Sequence, residues 1–141
     1  MSFMGNKLSS AFNDNEYLIR AVYPPSKKAI YWNRNNKVSP VAFRDDKGLS
    51  VNRSGNETKD YIVNFSKERL DGLMYSATVK ICQEFDIFIC YKPSYTNIYH
   101  TELHGSSTSL PLTHLQSVKL ANNVICEYIP EKYIAEFVSI Y

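Results

Sequence analysis

At 141 residues, with 44% hydrophobic and 21% charged content, the chain has an ordinary globular composition and is long enough for one domain with a real core. A net charge of +2, with basic residues spread rather than run together, argues against nucleic acid or an anionic membrane surface as a partner. No apolar run approaches a membrane span.

Aromatic residues stand out, with 11 Tyr and 7 Phe against 5 Gly. Tyrosines at this density suit strands and binding surfaces, where the ring packs and the hydroxyl finds water or a ligand. Cys82, Cys90 and Cys126 are odd in number, lack C-x-x-C spacing and have apolar neighbours. They predict reduced, buried thiols in a cytoplasmic protein. Residues 1–14 are small and polar, lack the apolar core of a signal peptide, and read as a flexible arm ahead of a single domain over 15–141.

The first element is a strand over 17–23, closed by Pro24 and Pro25. Alternation puts Arg20 between Leu18 and Val22 on a face that should be covered. A guanidinium there needs a carboxylate, carbonyls or an anionic ligand. A turn-rich region follows, interrupted by a short strand over 29–32. Short strands over 41–43 and 49–53 flank a charged turn ending in Gly48. Leu49, Val51 and Arg53 share one face, and Ser50 and Asn52 the other. Ser50 and Arg53 therefore reach one pocket only across a bulge.

Ser54 or Asn56 can cap a helix over 57–70, with Glu57 answering Ser54. Its acidic start and basic end agree with the macrodipole. Residues 73–85 fit strand and helix equally badly. The run 86–91 is apolar on both faces after Asp86, as an interior strand would be. Residues 98–105 return beside it. Thr113 and Gln116 form a capping box for a helix ended by Asn122 and Asn123. A strand over 124–129 follows. Pro130 then opens a last helix with a stripe of Tyr133, Ile134, Phe137, Val138 and Tyr141.

The chemistry-bearing stretch is 98–105, whose alternation puts His100, Glu102 and His104 on one face. The H-x-x-x-H spacing lacks the glutamate of a zinc-binding helix, and Gly105, Tyr99 and Thr101 oppose a helix, so neither metal nor cofactor is expected. His100 is the candidate general acid/base. Arg20, Arg53 and His100 come from three separate strands, as an anion pocket across a sheet requires. Glycine-rich phosphate loops are absent, so a nucleotide would be held by side chains, with Tyr91, Tyr95 or Tyr99 stacking on it. The expected ligand-binding set is Arg20, Ser50, Arg53, Tyr99, His100 and His104.

The order Arg20-Ala21-Val22-Tyr23-Pro24, then Ala42-Phe43 leading to Leu49-Ser50-Val51-Asn52-Arg53, then His100 to Gly105, resembles a set of small uncharacterised bacterial proteins. The similarity covers residues 18–121. It implies one intact domain and links Arg20, Ser50, Arg53 and His100, without supplying an activity. The early arginine and later serine strands are also similar to ADP-ribosyltransferase-like proteins, whose later glutamate has no assignable counterpart here.

The expected architecture is α+β, a mainly antiparallel sheet with two or three packed helices. The expected function is binding of an anionic small molecule, a nucleotide or phosphorylated metabolite, in the cytoplasm. Two alternatives stand beside it. One is an enzyme of phosphoryl or ADP-ribosyl transfer using His100. The other is a protein-interaction module of immunity or antitoxin type.

Overall fold

The computed structural model describes residues 7–138. Six strands form one antiparallel sheet: β1 (Tyr17–Val22), β2 (Leu49–Arg53), β3 (Leu73–Thr78), β4 (Phe88–Tyr91), β5 (His100–His104) and β6 (Ile125–Tyr128). Their spatial order is β4-β5-β2-β1-β3-β6. Three α-helices accompany them: α1 (Lys59–Arg69), α2 (Val79–Glu84) and α3 (His114–Asn123). This is the expected α+β architecture.

The alternation read from β1 sorts the two faces. Leu18 and Val22 join Leu49, Val51 and Leu103 in the larger core, closed by Val79 and Cys82 of α2, Leu120 of α3 and Phe43. Ile19 faces the other way, onto Ile62 and Val63 of α1 and Met74. Each fully buried aliphatic side chain contributes about 1.5–3 kcal/mol. Helix α1 packs on β1, β3 and the near end of β2, leaving much of β2 and β5 on that face uncovered. No helix among the described residues is long and apolar enough to cross a membrane.

Several local expectations are corrected. Residues 29–31 and 40–43 are 3-10 turns rather than strands. At the second, Pro40 fills the first position and Ser39 Oγ accepts from the Val41 amide, which favours a tight turn. Helix α1 is capped by Thr58, not Ser54 or Asn56. Ser54 is already used, its hydroxyl accepting from the Tyr17 amide at 2.9 Å. The ambiguous stretch 73–85 is strand then helix, divided by Thr78, which caps α2.

Strand β4 lies at the sheet edge, not its interior. The apolar run is split between Ile89, with Ile87 just before the strand, on the core and Phe88, 41% exposed. The last helix is a 3-10 segment, Glu131–Glu136, with Tyr133 buried; Tyr141 lies outside the described residues. All three cysteines are free, but only Cys82 is buried. Cys126 is exposed because β6 is the opposite edge strand.

The expected arm is docked from Leu8 onward. The Leu8 amide donates to the Tyr91 hydroxyl at 2.9 Å, and the carbonyls of Ser9 and Ala11 accept from Arg53. Residues 1–6 lie outside the described residues.

Candidate functional site

The site arises from a fault in the sheet. Strand β1 pairs with β3 along six residues, but with β2 only at Leu18–Arg53 and Ile19–Asn52. Beyond that point β1 and β2 part, and the Ser50 carbonyl has no ladder partner on β1. Arg20 supplies one. Its Nη1 donates to the Ser50 carbonyl at 3.2 Å, and its Nε donates to the Ala42 carbonyl at 3.3 Å. The guanidinium therefore bridges the opening, and two carbonyls take the place of the carboxylate that an intrastrand arginine would otherwise want. Among the described residues no carboxylate forms an ion pair with it. Burial pulls its pKa below the ordinary arginine value, and Tyr31 and Asp45 oppose that shift.

Above the opening lies a cavity of about 380 Å³, within the size range of small-molecule sites. Ile19, Ala21, Tyr23, Tyr31 and Leu70 give it an apolar side. Arg20, Ser50, Asn52, Asn97 and His100 give it a polar one, and Asp71 lies at its rim.

His100 is fixed by its backbone surroundings. Its Nδ1 lies 2.8 Å from the Lys92 carbonyl, and its Nε2 lies 3.3 Å from Ser50 Oγ. A carbonyl oxygen only accepts, so Nδ1 carries the proton. In the neutral ring Nε2 is then an acceptor, and the Ser50 hydroxyl donates to it. Antiparallel pairing aligns the two residues: Ser50 is opposite Glu102 and Asn52 opposite His100. Ser50 and His100 are thus diagonal neighbours on one face.

Asn52 and Asn97 stiffen the floor. Asn97 Nδ2 donates to Asn52 Oδ1 at 2.8 Å, and Asn52 Nδ2 donates to the buried Ser66 hydroxyl at 2.9 Å. Asn97 also accepts from the Tyr99 amide, which shapes the turn leading into β5.

The other three expected ligand residues are elsewhere. Arg53 is 2% exposed and forms a two-pronged pair with Glu16, Nε to Oε1 and Nη2 to Oε2, both at 2.8 Å. Its guanidinium is stacked between Phe12 and Tyr91, 4.0 and 4.8 Å from their ring centres. The expected gathering of Arg53 with Arg20 and His100 therefore does not occur. Strand alternation already separated Arg53 from Ser50, and no bulge reverses it.

Tyr99 packs edge-on against Phe65 and Tyr61 of α1, and desolvation pushes its pKa up. His104 is 2% exposed and bonds Glu102 Oε1 at 3.0 Å, beyond the reach of the cavity. Its ring lies over Gly48, which has φ +105°. A Cβ there would come within 2.4 Å of His104 Cε1. Gly48→Ala should cost about 1–3 kcal/mol through backbone strain and displacement of the imidazole, read by chemical denaturation.

Asp71 is the rim's only carboxylate among the described residues, and it is already engaged. Lys27 Nζ approaches at 2.8 Å, Lys132 at 3.4 Å, and the Tyr133 hydroxyl donates to it. The Lys27 contact above all lowers its pKa from 3.8 to about 2. A depressed carboxylate stabilises the fold above its unfolded pKa and loses that contribution as pH falls through the folded one. Asp71→Asn should therefore melt lower than the parent at neutral pH, and the gap should close between pH 4 and 2.

Sequence reasoning found Arg20, Ser50 and His100, and placed Asn52 on the Ser50 face. It missed Asn97 and the Lys92 carbonyl. The latter is backbone and carries no side-chain signal at all.

No protein-family model matches the chain, and no curated protein or solved structure matches it either.

Proposed function

We propose that the chain is a cytoplasmic binding protein for a small anionic ligand, a nucleotide or other phosphorylated metabolite, held in the cavity between β1 and β2. The observation that carries this reading is Arg20: a permanent cation at the cavity, held by carbonyls and paired with no carboxylate among the described residues. An anion entering there meets a guanidinium that has spent only part of its donor set. His100 and Ser50 offer further polar contacts, and Tyr23 and Tyr31 on the other side offer aromatic surface for a base or other ring.

The test compares adenosine monophosphate, adenosine diphosphate and inorganic phosphate with uncharged adenosine by thermal shift and equilibrium dialysis. The phosphate-bearing ligands should raise the melting temperature and adenosine should not. At a hundred times its Kd a ligand adds about 2.7 kcal/mol of stability. Adenosine binding as well as its phosphates would remove the anion from the recognition.

A further inference from the structure

The Ser50–His100 contact goes further than ligand binding. Resting on the anion site just described, we propose that Ser50 is a nucleophile activated by His100. The substrate class is a small carboxylic ester that also bears an anionic group, carboxylate or phosphate, for Arg20 to hold.

Three features of the geometry support this. The Lys92 carbonyl fixes the imidazole tautomer, so Nε2 is the basic nitrogen and faces Ser50 Oγ at 3.3 Å. This is the arrangement of nucleophile, base and orienting group that hydroxyl activation needs, with a backbone carbonyl as the orienter. Both groups line the 380 Å³ cavity, so a substrate can reach them. Finally, Arg20 bonds the carbonyl of Ser50 itself. The cation that would anchor the substrate is thereby placed within one residue of the attacking oxygen.

The chemistry closes without any further reactant than water. Ser50 Oγ attacks the ester carbonyl carbon while its proton passes to His100 Nε2. The carbon–oxygen bond to the leaving alcohol breaks, and that alcohol takes the proton from Nε2. Water then attacks the Ser50 ester, giving its proton to Nε2. The Ser50 Oγ leaves and recovers the proton, and the carboxylic acid departs. A single guanidinium matches one anchoring anion. A transferring phosphoryl group calls for several cationic partners around its oxygens, which favours acyl over phosphoryl transfer.

The probe is 4-nitrophenyl 4-carboxybenzoate, whose rigid acyl group carries a carboxylate that cannot reach its own ester, beside neutral 4-nitrophenyl 4-methylbenzoate of similar shape. Nitrophenolate release above the protein-free rate should be faster with the carboxylate-bearing ester, and peptide mass mapping should find a 4-carboxybenzoyl group on Ser50. Ser50→Ala should lose the adduct completely. His100→Asn retains an amide donor for the Lys92 carbonyl but has no base, and should slow release by about 100-fold or more. Inorganic phosphate should compete.

Equal rates for Ser50→Ala and the parent overturn the proposal, as does an adduct on another residue. The binding reading is tested separately, by phosphate and adenosine monophosphate binding to the parent protein. Binding without turnover in the parent ends the catalytic step and leaves the anion site standing. Turnover of both esters at the same rate ends the role of Arg20 in selecting substrate.

Discussion

Removing the Glu16 carboxylate, as Glu16→Ala, should destabilise the protein by about 3–5 kcal/mol in urea or guanidinium denaturation. The pair with Arg53 is almost fully covered, each side chain being 3% exposed. Alone, the Arg53 charge would remain inside the protein between Phe12 and Tyr91 with only the Ser9 and Ala11 carbonyls to solvate it. Glu16 also accepts from the backbone amides of Asn13 and Gly55, so its loss strands two further donors. These contacts join three segments: the arm, the start of β1 and the turn after β2. Methionine at both positions should recover part of the loss, since two apolar side chains leave no uncompensated charge. The double variant should bind adenosine monophosphate as the parent does, because Arg53 lies outside the cavity. A stability loss below 1 kcal/mol for Glu16→Ala would mean that water reaches the pair.

The second large effect concerns Arg20. Arg20→Met keeps an apolar stem and removes the cation. Charge-assisted hydrogen bonds contribute roughly 1.5–3 kcal/mol each, so anion affinity should fall by about 10–100-fold for each bond lost. The same substitution leaves the Ser50 and Ala42 carbonyls without their donor, and the opening between β1 and β2 without its bridge. A stability loss of about 1–3 kcal/mol is expected alongside. Arg20→Lys separates the two effects. The ammonium preserves the charge but not the planar fork, so it should retain weak anion binding while failing to satisfy both carbonyls. If Arg20→Met lost stability and bound the ligand unchanged, the arginine would be a sheet clamp alone.

Arg20 and Arg53 show how far sequence reading reaches and where it stops. Arg20 was legible as a guanidinium on a strand face that should be covered, and Arg53 as sharing a face with Leu49 and Val51. The requirement stated for Arg20, that such a group find carboxylate, carbonyls or ligand, is met in the fold by both arginines, in different ways. Arg53 took Glu16, a residue with no feature in the sequence to mark it as a partner. Arg20 took two carbonyls, one exposed to it only because β1 and β2 diverge. Divergence of a strand pair is a tertiary property: β1 keeps six paired residues with β3 and only two with β2, and no local pattern announces it.

The period-two alternation carried more. It set the faces of β1, β2 and β5, and so put Ser50, Asn52 and His100 on one side and Arg53 on the other. One side-chain cap was also readable, the Thr113–Gln116 box of α3, whereas the Thr58 and Thr78 caps of α1 and α2 were not. The short stretches 29–31 and 40–43 were not, because three or four residues beside prolines and asparagines hold too few side chains to show a period. The edge position of β4 was hidden for a related reason. An apolar strand looks interior until its neighbours are known, and only β5 pairs with it.

The most direct measurement is an NMR titration with adenosine monophosphate that follows the Arg20 Nε–H and the His100 ring nitrogens together. Both sets of resonances should move and saturate at one common concentration, while the Arg53 Nε–H stays in place. Saturable binding that leaves Arg20 and His100 unmoved, or no binding of any phosphate-bearing ligand, would contradict an anion site between β1 and β2.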